Sequence, residues 1–271
     1  MSAPWPQEAR WTALAVDLGS ARTRVWAPSE GMVLDVPTVT FPDAGRGRGQ
    51  GRGACALHPV RRRAIDVAGT ARTLDRLLRQ GPPPLERPLV LLTAPVLDGV
   101  AYRAAARAAV EVLRPRAVLT VPTARAVAVA AREDLSRPLL VVDVGARFTE
   151  TVLLVDGAVA DAHRVTLGTP GLDEEPGAAA RLVEAVAAMV ASVPDEDRTA
   201  AAPSLPARGV LLAGGGALRP EFVHRLARRL DVAVKVAPAP DTAAVRGAAE
   251  LLGSARRHPS STGGARLPVP E

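Results

Sequence analysis

One cysteine, Cys55, and one lysine, Lys235, stand in a chain of 271 residues, and only 3% of the residues are aromatic. A lone cysteine excludes an intrachain disulfide and a thiolate zinc site. The four histidines, His58, His163, His224 and His258, are dispersed without metal-ligand spacing. No stretch approaches the roughly 18 uninterrupted apolar residues of a spanning helix. Residues 1–11 have no basic segment running into an apolar one, so they do not read as a signal peptide. These absences lead to the expectation of a soluble, cytoplasmic protein. With apolar residues at 48% and so few aromatics, the core has to be built from Ala, Val and Leu. Basic residues exceed acidic ones by 34 to 28, and nearly all of the positive charge is arginine. Arginine suits a phosphate or carboxylate partner, yet a GC-rich genome writes the same composition, so charge alone names no partner.

What is present is an alternation of short apolar runs with helical patterns. Strands are expected at 12–17, 24–27, 32–35, 89–93, 117–121, 139–143, 150–155, 158–165, 209–213 and 232–236. Helices are expected at 70–80, 102–113, 123–133, 178–192, 219–230 and 241–252, the last with Asp241 as N-cap and Gly253 just past its end. Strands alternating with helices imply α/β layers, and three strands opening each half imply hairpins there. Four segments resist burial or stiffen the chain: a flexible start at 1–11, a Gly/Arg loop at 43–53, the triple proline 82–84, and an aperiodic tail at 254–271. Between them lie two lobes, 12–136 and 137–253.

An internal repeat organises those lobes. Ala15-Val-Asp-Leu-Gly-Ser-Ala-Arg-Thr matches Val141-Val-Asp-Val-Gly-Ala-Arg-Phe-Thr. Asp17 corresponds to Asp143, Gly19 to Gly145, Thr23 to Thr149 and Gly31 to Gly157, each pair 126 residues apart. A constant offset at four positions makes the chain two copies of one strand–turn–strand–turn–strand unit, each followed by helices.

The chemistry lies in the repeated turn. Each copy ends an apolar strand on Asp, turns at Gly and begins a second strand through Thr. Such a turn presents several peptide N–H groups, and a glycine at positive φ aims them at an anion. Gly19, Ser20, Arg22 and Thr23 of the first copy, with Gly145, Arg147 and Thr149 of the second, are therefore candidate phosphate contacts. Asp17 and Asp143 are candidates to hold Mg²⁺, usually through water. A single copy reads as an ordinary hairpin; two that face one another would grip a nucleoside polyphosphate. A third element, Gly209-Val-Leu-Leu-Ala-Gly-Gly-Gly, runs a buried strand into Gly214, Gly215 and Gly216 and then a helix. Its backbone can lie flat against a base or sugar. No Gly-Lys-Ser/Thr follows, so it is not a P-loop.

These three elements in this order resemble the actin, sugar-kinase and heat-shock-chaperone ATPase superfamily, and within it the MreB-type bacterial actins. Asp17-Leu-Gly-Ser-Ala-Arg-Thr is similar to that family's first phosphate motif. Gly31-Met-Val-Leu-Asp-Val-Pro-Thr-Val and His58-Pro-Val-Arg-Arg-Arg-Ala-Ile-Asp resemble the segments that follow. Leu211-Leu-Ala-Gly-Gly-Gly-Ala-Leu and Asp241-Thr-Ala-Ala-Val-Arg-Gly-Ala resemble its adenosine region. The resemblance runs from Thr12 to Leu252. It implies an actin-like (ribonuclease H-like) α/β fold of duplicated βββαβαβα lobes, with ATP or ADP and Mg²⁺ in the cleft between them.

Three departures qualify what the resemblance implies. The second turn has Ala146, Arg147 and Phe148 where the family has Gly, Gly and Thr, so Cβ atoms are expected to crowd a phosphate or a left-handed turn. Arg147, and Arg22 in the first turn, offer their own charge in exchange. Where the family places a water-orienting Glu before Pro, this chain has Val121, with Thr120 before it; Glu133 is about three helical turns on. No catalytic residue is therefore assigned, and hydrolysis is expected to be lost or very slow. The spans that hold the family's outer subdomains IB and IIB are short, so these are expected to be missing or vestigial, and with them ordinary self-polymerisation. The function expected is that of a non-catalytic partner of a full-length MreB-type filament protein or of wall-synthesis machinery, at the inner face of the membrane. Two alternatives stand beside it. One is a working ATPase or phosphotransferase. The other is a binder of nucleic acid or anionic surfaces through Arg46, Arg48, Arg52, Arg61, Arg62 and Arg63, which lack interleaved aromatics for base stacking. Trp5 and Trp11 are candidates for a peripheral membrane contact.

Overall fold

A computed structural model of the chain describes residues 12–38, 65–78, 87–97, 99–170, 172, 176–193 and 208–257. The expected flexible start, the Gly/Arg loop, the triple proline and the tail beyond 257 lie outside these residues.

The element order is the same eight-part series twice. The first runs β1 (Ala13–Leu18), β2 (Arg22–Ala27), β3 (Gly31–Pro37), α1 (Val67–Leu78), β4 (Leu89–Ala94), α2 (Gly99–Val110), β5 (Ala117–Pro122) and α3 (Thr123–Ala130). The second runs β6 (Leu139–Val144), β7 (Thr149–Val155), β8 (Ala158–Val165), α4 (Ala178–Ser192), β9 (Val210–Ala213), α5 (Pro220–Leu230), β10 (Val234–Val236) and α6 (Ala243–Arg257). Each series forms one five-stranded sheet, in the orders β3-β2-β1-β4-β5 and β10-β9-β6-β7-β8. In both, the first strand pairs antiparallel with its hairpin partner and parallel with the strand after the first helix. This is the duplicated βββαβαβα fold that the family resemblance implies, doubled as the repeat predicts. Among the described residues no strand or α-helix separates β3 from α1.

The central strands are apolar on both faces because helices cover both. On β1, Leu14, Val16 and Leu18 pack with Leu74 of α1 and Val110 of α2. Ala13 and Ala15 face the other way, onto Val245, Ala248 and Leu252 of α6. On β6, Leu140, Val142 and Val144 meet Leu182 and Val186 of α4 with Phe222 and Leu226 of α5, while Leu139 and Val141 meet Val127 and Ala128 of α3. The covering helices are thus exchanged: α3 follows the first sheet and covers the second, and α6 follows the second and covers the first. The two cross where Gly247 lies against the Ala126 carbonyl, so closely that a Cβ on Gly247 would overlap it.

Local signals suit the limits of one helix in particular. Helix α5 has Pro220 in its first turn with Glu221, and Arg228 and Arg229 in its last, all favourable to the helix dipole. Helix α6 corrects the sequence reading twice. It continues through Gly253 to Arg257, so the first four residues of the expected tail are helical. A mid-helix glycine costs only about 1 kcal/mol, which the burial of Leu252 and its neighbours outweighs. Asp241 is not the cap, because the helix begins two positions on at Ala243; its carboxylate accepts from Arg24 at 3.1 Å.

Candidate functional site

The two repeated turns open onto one cleft of about 380 Å³ between the sheets. Asp17, Gly19, Ser20, Arg22 and Thr23 line it from the first turn, Asp143, Gly145 and Arg147 from the second, and Gly214 and Gly215 from the third element. Thr149 and Gly216 do not. Thr149 is fully buried and donates its hydroxyl to Leu167 O at 3.0 Å. Gly216 packs against Val144, where a Cβ would overlap that side chain.

Glycine serves the turns differently from expectation. Gly19 and Gly145 do not have positive φ, nor do Ala146, Arg147 and Phe148. The backbone that the second turn's larger residues occupy is therefore ordinary, and no left-handed strain follows from them. A Cβ on Gly19 would sit 2.8 Å from Arg22 O, so closeness of the chain fixes that glycine. Gly214 is the position that needs φ > 0, at +82°, and a side chain there would overlap the Asp143 carboxylate and Val144 O.

Arg22 lines the cleft, but Asp35 engages its guanidinium. Its guanidinium donates to Asp35 Oδ1 at 2.5 Å and Asp35 O at 3.0 Å. Arg24, buried, reaches Asp35 at 3.2 Å and Asp241 at 3.1 Å. Phe148 lines the cleft with the Arg164 guanidinium 4.2 Å from its ring centre.

The two aspartates differ. Thr93 donates to Asp17 Oδ1 at 2.7 Å. Burial pushes the Asp17 carboxyl above the ordinary range, while Thr93 and then Arg24 pull it back. Asp143 accepts no hydrogen bond from the described residues. Burial, then Asp17, then Glu150 push its carboxyl up to about 7. The cleft thus holds two carboxylates within each other's field, one of them without a donor among the described residues, and Arg22, Arg24, Arg147 and Arg219 line it as well. The N–H groups of Ser20, Ala21 and Ala146 make no backbone hydrogen bond among the described residues. Unused turn donors beside a pair of mutually repelling carboxyl groups fit a phosphate carried with a hard divalent cation. No cluster of three or more His, Cys, Asp or Glu suited to a metal occurs among the described residues, so a cation here would need ligand or water oxygens as well.

Val121, at the position expected for a water-orienting carboxylate, is buried against Ala13, Ala15, Ala126 and Val245 and does not line the cleft. Five residues the sequence reading did not single out do line it or brace it: Thr38, Asp66, Thr93, Arg24 and Glu150. Thr38 donates to Gly19 O at 2.7 Å and its hydroxyl lies 3.0 Å from that of Thr23. Arg24 and Glu150 were reachable, since they too stand 126 residues apart in the repeat. The basic run at 46–63 and Trp5 and Trp11 lie outside the described residues. No helix among the described residues is long and apolar enough to cross a membrane.

No family model and no curated protein matches the chain by sequence. Solved structures match it by shape. MreB5 of Spiroplasma citri bound to ADP superposes with a TM-score of 0.69 at 13% identity, over 90% of this chain and 97% of that one. The ethanolamine utilization protein EutJ from Carboxydothermus hydrogenoformans gives 0.59 at 17% identity, over 91% and 92%. MamK, solved as a double helical filament, gives 0.60 at 16%, over 89% and 99%. The chain has the actin-like fold.

Proposed function

We propose that this chain binds an adenine nucleotide with Mg²⁺ in the cleft, does not hydrolyse it, and acts as a non-catalytic actin-fold component of an assembly at the inner face of the bacterial envelope. The observation that carries the binding is the pair of facing turns, with unused N–H donors around Asp17 and Asp143. The neighbour solved with ADP supports the choice of ligand. The absence of turnover rests on how the cleft's carboxylates are used. Asp17 holds Thr93, Asp66 accepts from Gly69 N–H, Asp241 holds Arg24, and Glu150 accepts from Val96 and Leu97 N–H. Val121 brings an isopropyl group where general-base chemistry needs a carboxylate. The neighbour solved as a filament supports an assembly role, and the partner proposed is a full-length MreB-type filament protein or the wall-synthesis machinery.

Asp143 favours a second reading, that of an active phosphotransferase or ATPase. Its carboxyl, raised to about 7 and free of donors, has the character of a general base near neutral pH. Titration calorimetry separates binding from its absence. Mg·ADP and Mg·ATP should give saturable one-to-one binding to the full chain, weakened at least tenfold by Asp17→Ala or Asp143→Ala. No heat with the wild type at millimolar nucleotide defeats the binding proposal.

A further inference from the structure

Arg24 and Glu150 occupy equivalent places in the two copies, on the middle strand of each three-strand unit, with opposite charge. Each is paired to its own edge strand. Arg24 on β2 meets Asp35 on β3 at 3.2 Å, and Glu150 on β7 meets Arg164 on β8 at 2.8 Å. Each also crosses the cleft. Glu150, 3% exposed, accepts from the N–H groups of Val96 and Leu97, both at 3.0 Å, in the loop between β4 and α2 of the opposite lobe. Arg24, 8% exposed, donates to Asp241 at 3.1 Å in the loop after β10. That loop is tied to the second sheet through Gly214 N–H to Pro240 O and Ala237 N–H to Leu212 O. The Val96 side chain meanwhile packs into the core between α3 and the second sheet.

We infer that these two crossings form a built-in clasp, which holds the lobes closed without a nucleotide and makes the face shown to a partner independent of what occupies the cleft. A nearly buried carboxylate that accepts two peptide N–H bonds and an arginine forms charge-assisted bonds of the stronger kind. Opening the cleft would leave Glu150 and Arg24 each with fewer partners, and a buried charge that loses partners is costly. A fold whose lobes were bridged only by ligand would part when the ligand left. Here protein groups do the bridging, from both sides.

The clasp does not rest on nucleotide binding, and its test reads the ligand-free chain. On a Cys55→Ser background, spin labels at Ala104→Cys of α2 and Ala191→Cys of α4, both exposed, report the separation of the lobes. Amide exchange over residues 95–102 reports the Glu150 bonds. The clasp predicts one narrow distance distribution, the same with and without Mg·ADP. In Glu150→Gln it predicts a broadened, longer distribution and exchange about tenfold to a hundredfold faster over 95–102, with β1 and β6 unchanged. If Glu150→Gln does not fold, Asp241→Asn, at a half-buried position, decides the matter by the same distance readout. A ligand-free wild type that is broad and narrows only with Mg·ADP overturns the inference, as does a narrow distribution in both variants. Failure of the calorimetric titration would remove the proposed ligand and leave this readout intact.

Discussion

The two halves of the cleft are built on one backbone plan, but the rows of residues at its floor differ. In the first sheet the register places Asp17, Thr93 and Val121 side by side across β1, β4 and β5. In the second, Asp143 and Ala213 take the same places across β6 and β9, with Ala237 just past the end of β10. Thr93 gives Asp17 a hydroxyl donor; Ala213 gives Asp143 only a methyl group. That one exchange accounts for much of the difference between the aspartates. Asp17 is a carboxylate with partners, whereas Asp143 shares the field of Asp17 and Glu150 and holds its proton up to about 7. The comparison teaches that a duplicated motif does not duplicate its electrostatics, which the neighbouring strand decides.

The largest expected effect comes from changing the end of the first row. Val121→Glu places a carboxylate among Ala13, Leu91 and Val245 and within the row that already holds Asp17. Burial without a partner is expected to cost about 3 kcal/mol or more, read as a fall of roughly 10 °C in Tm. A variant as stable as the wild type would mean that the side chain turns out into the cleft. Asp143→Asn comes next. The folded carboxyl titrates near 7 against an ordinary value near 3.8, so the folded chain binds the extra proton between those values. The Asp143 contribution to stability therefore falls as pH rises from about 4 to 7, then levels off. Asparagine removes that loss, and at pH 8 a gain of about 2–4 kcal/mol is expected, with little difference from wild type at pH 4. Asp17→Asn should gain less, since Thr93 and Arg24 already offset its charge. Equal gains from the two would break the comparison. Smaller still is Ala213→Ser, which supplies the second row with its missing hydroxyl and should lower the Asp143 titration by about one unit, read by carboxyl-selective NMR. The Arg229–Glu184 pair is exposed on both sides, and Arg229→Ala should leave Tm unchanged.

Much of this was legible in the sequence. Strand periodicity located the ten strands and the glycine-bearing turns, because each depends on neighbours close in the chain, and the 126-residue offset showed the duplication. What escaped depends on distant partners. Asp241 looks like a helix cap from its local sequence, yet it answers to Arg24, 217 positions away. Glu150 reads as a polar residue near the start of an apolar strand, and nothing near it announces the peptide groups of Val96 and Leu97. Gly253 looked like a stop because a glycine after Leu-Leu often is one, but the first sheet buries that helix and carries it on. Positive φ was assigned to Gly19 and Gly145 by analogy with phosphate turns, whereas it belongs to Gly214.

Under the proposed function, the cleft holds a nucleotide and leaves it intact. Single-turnover phosphate release, with the full chain in excess over Mg·ATP at pH 7.5, tests it most directly. The account predicts release at the rate of buffer alone for the wild type, and no gain from Val121→Glu. Magnesium-dependent release above background by the wild type would contradict it; its loss in an Asp143→Asn chain that still binds Mg·ATP would mark Asp143 as the base of an active enzyme.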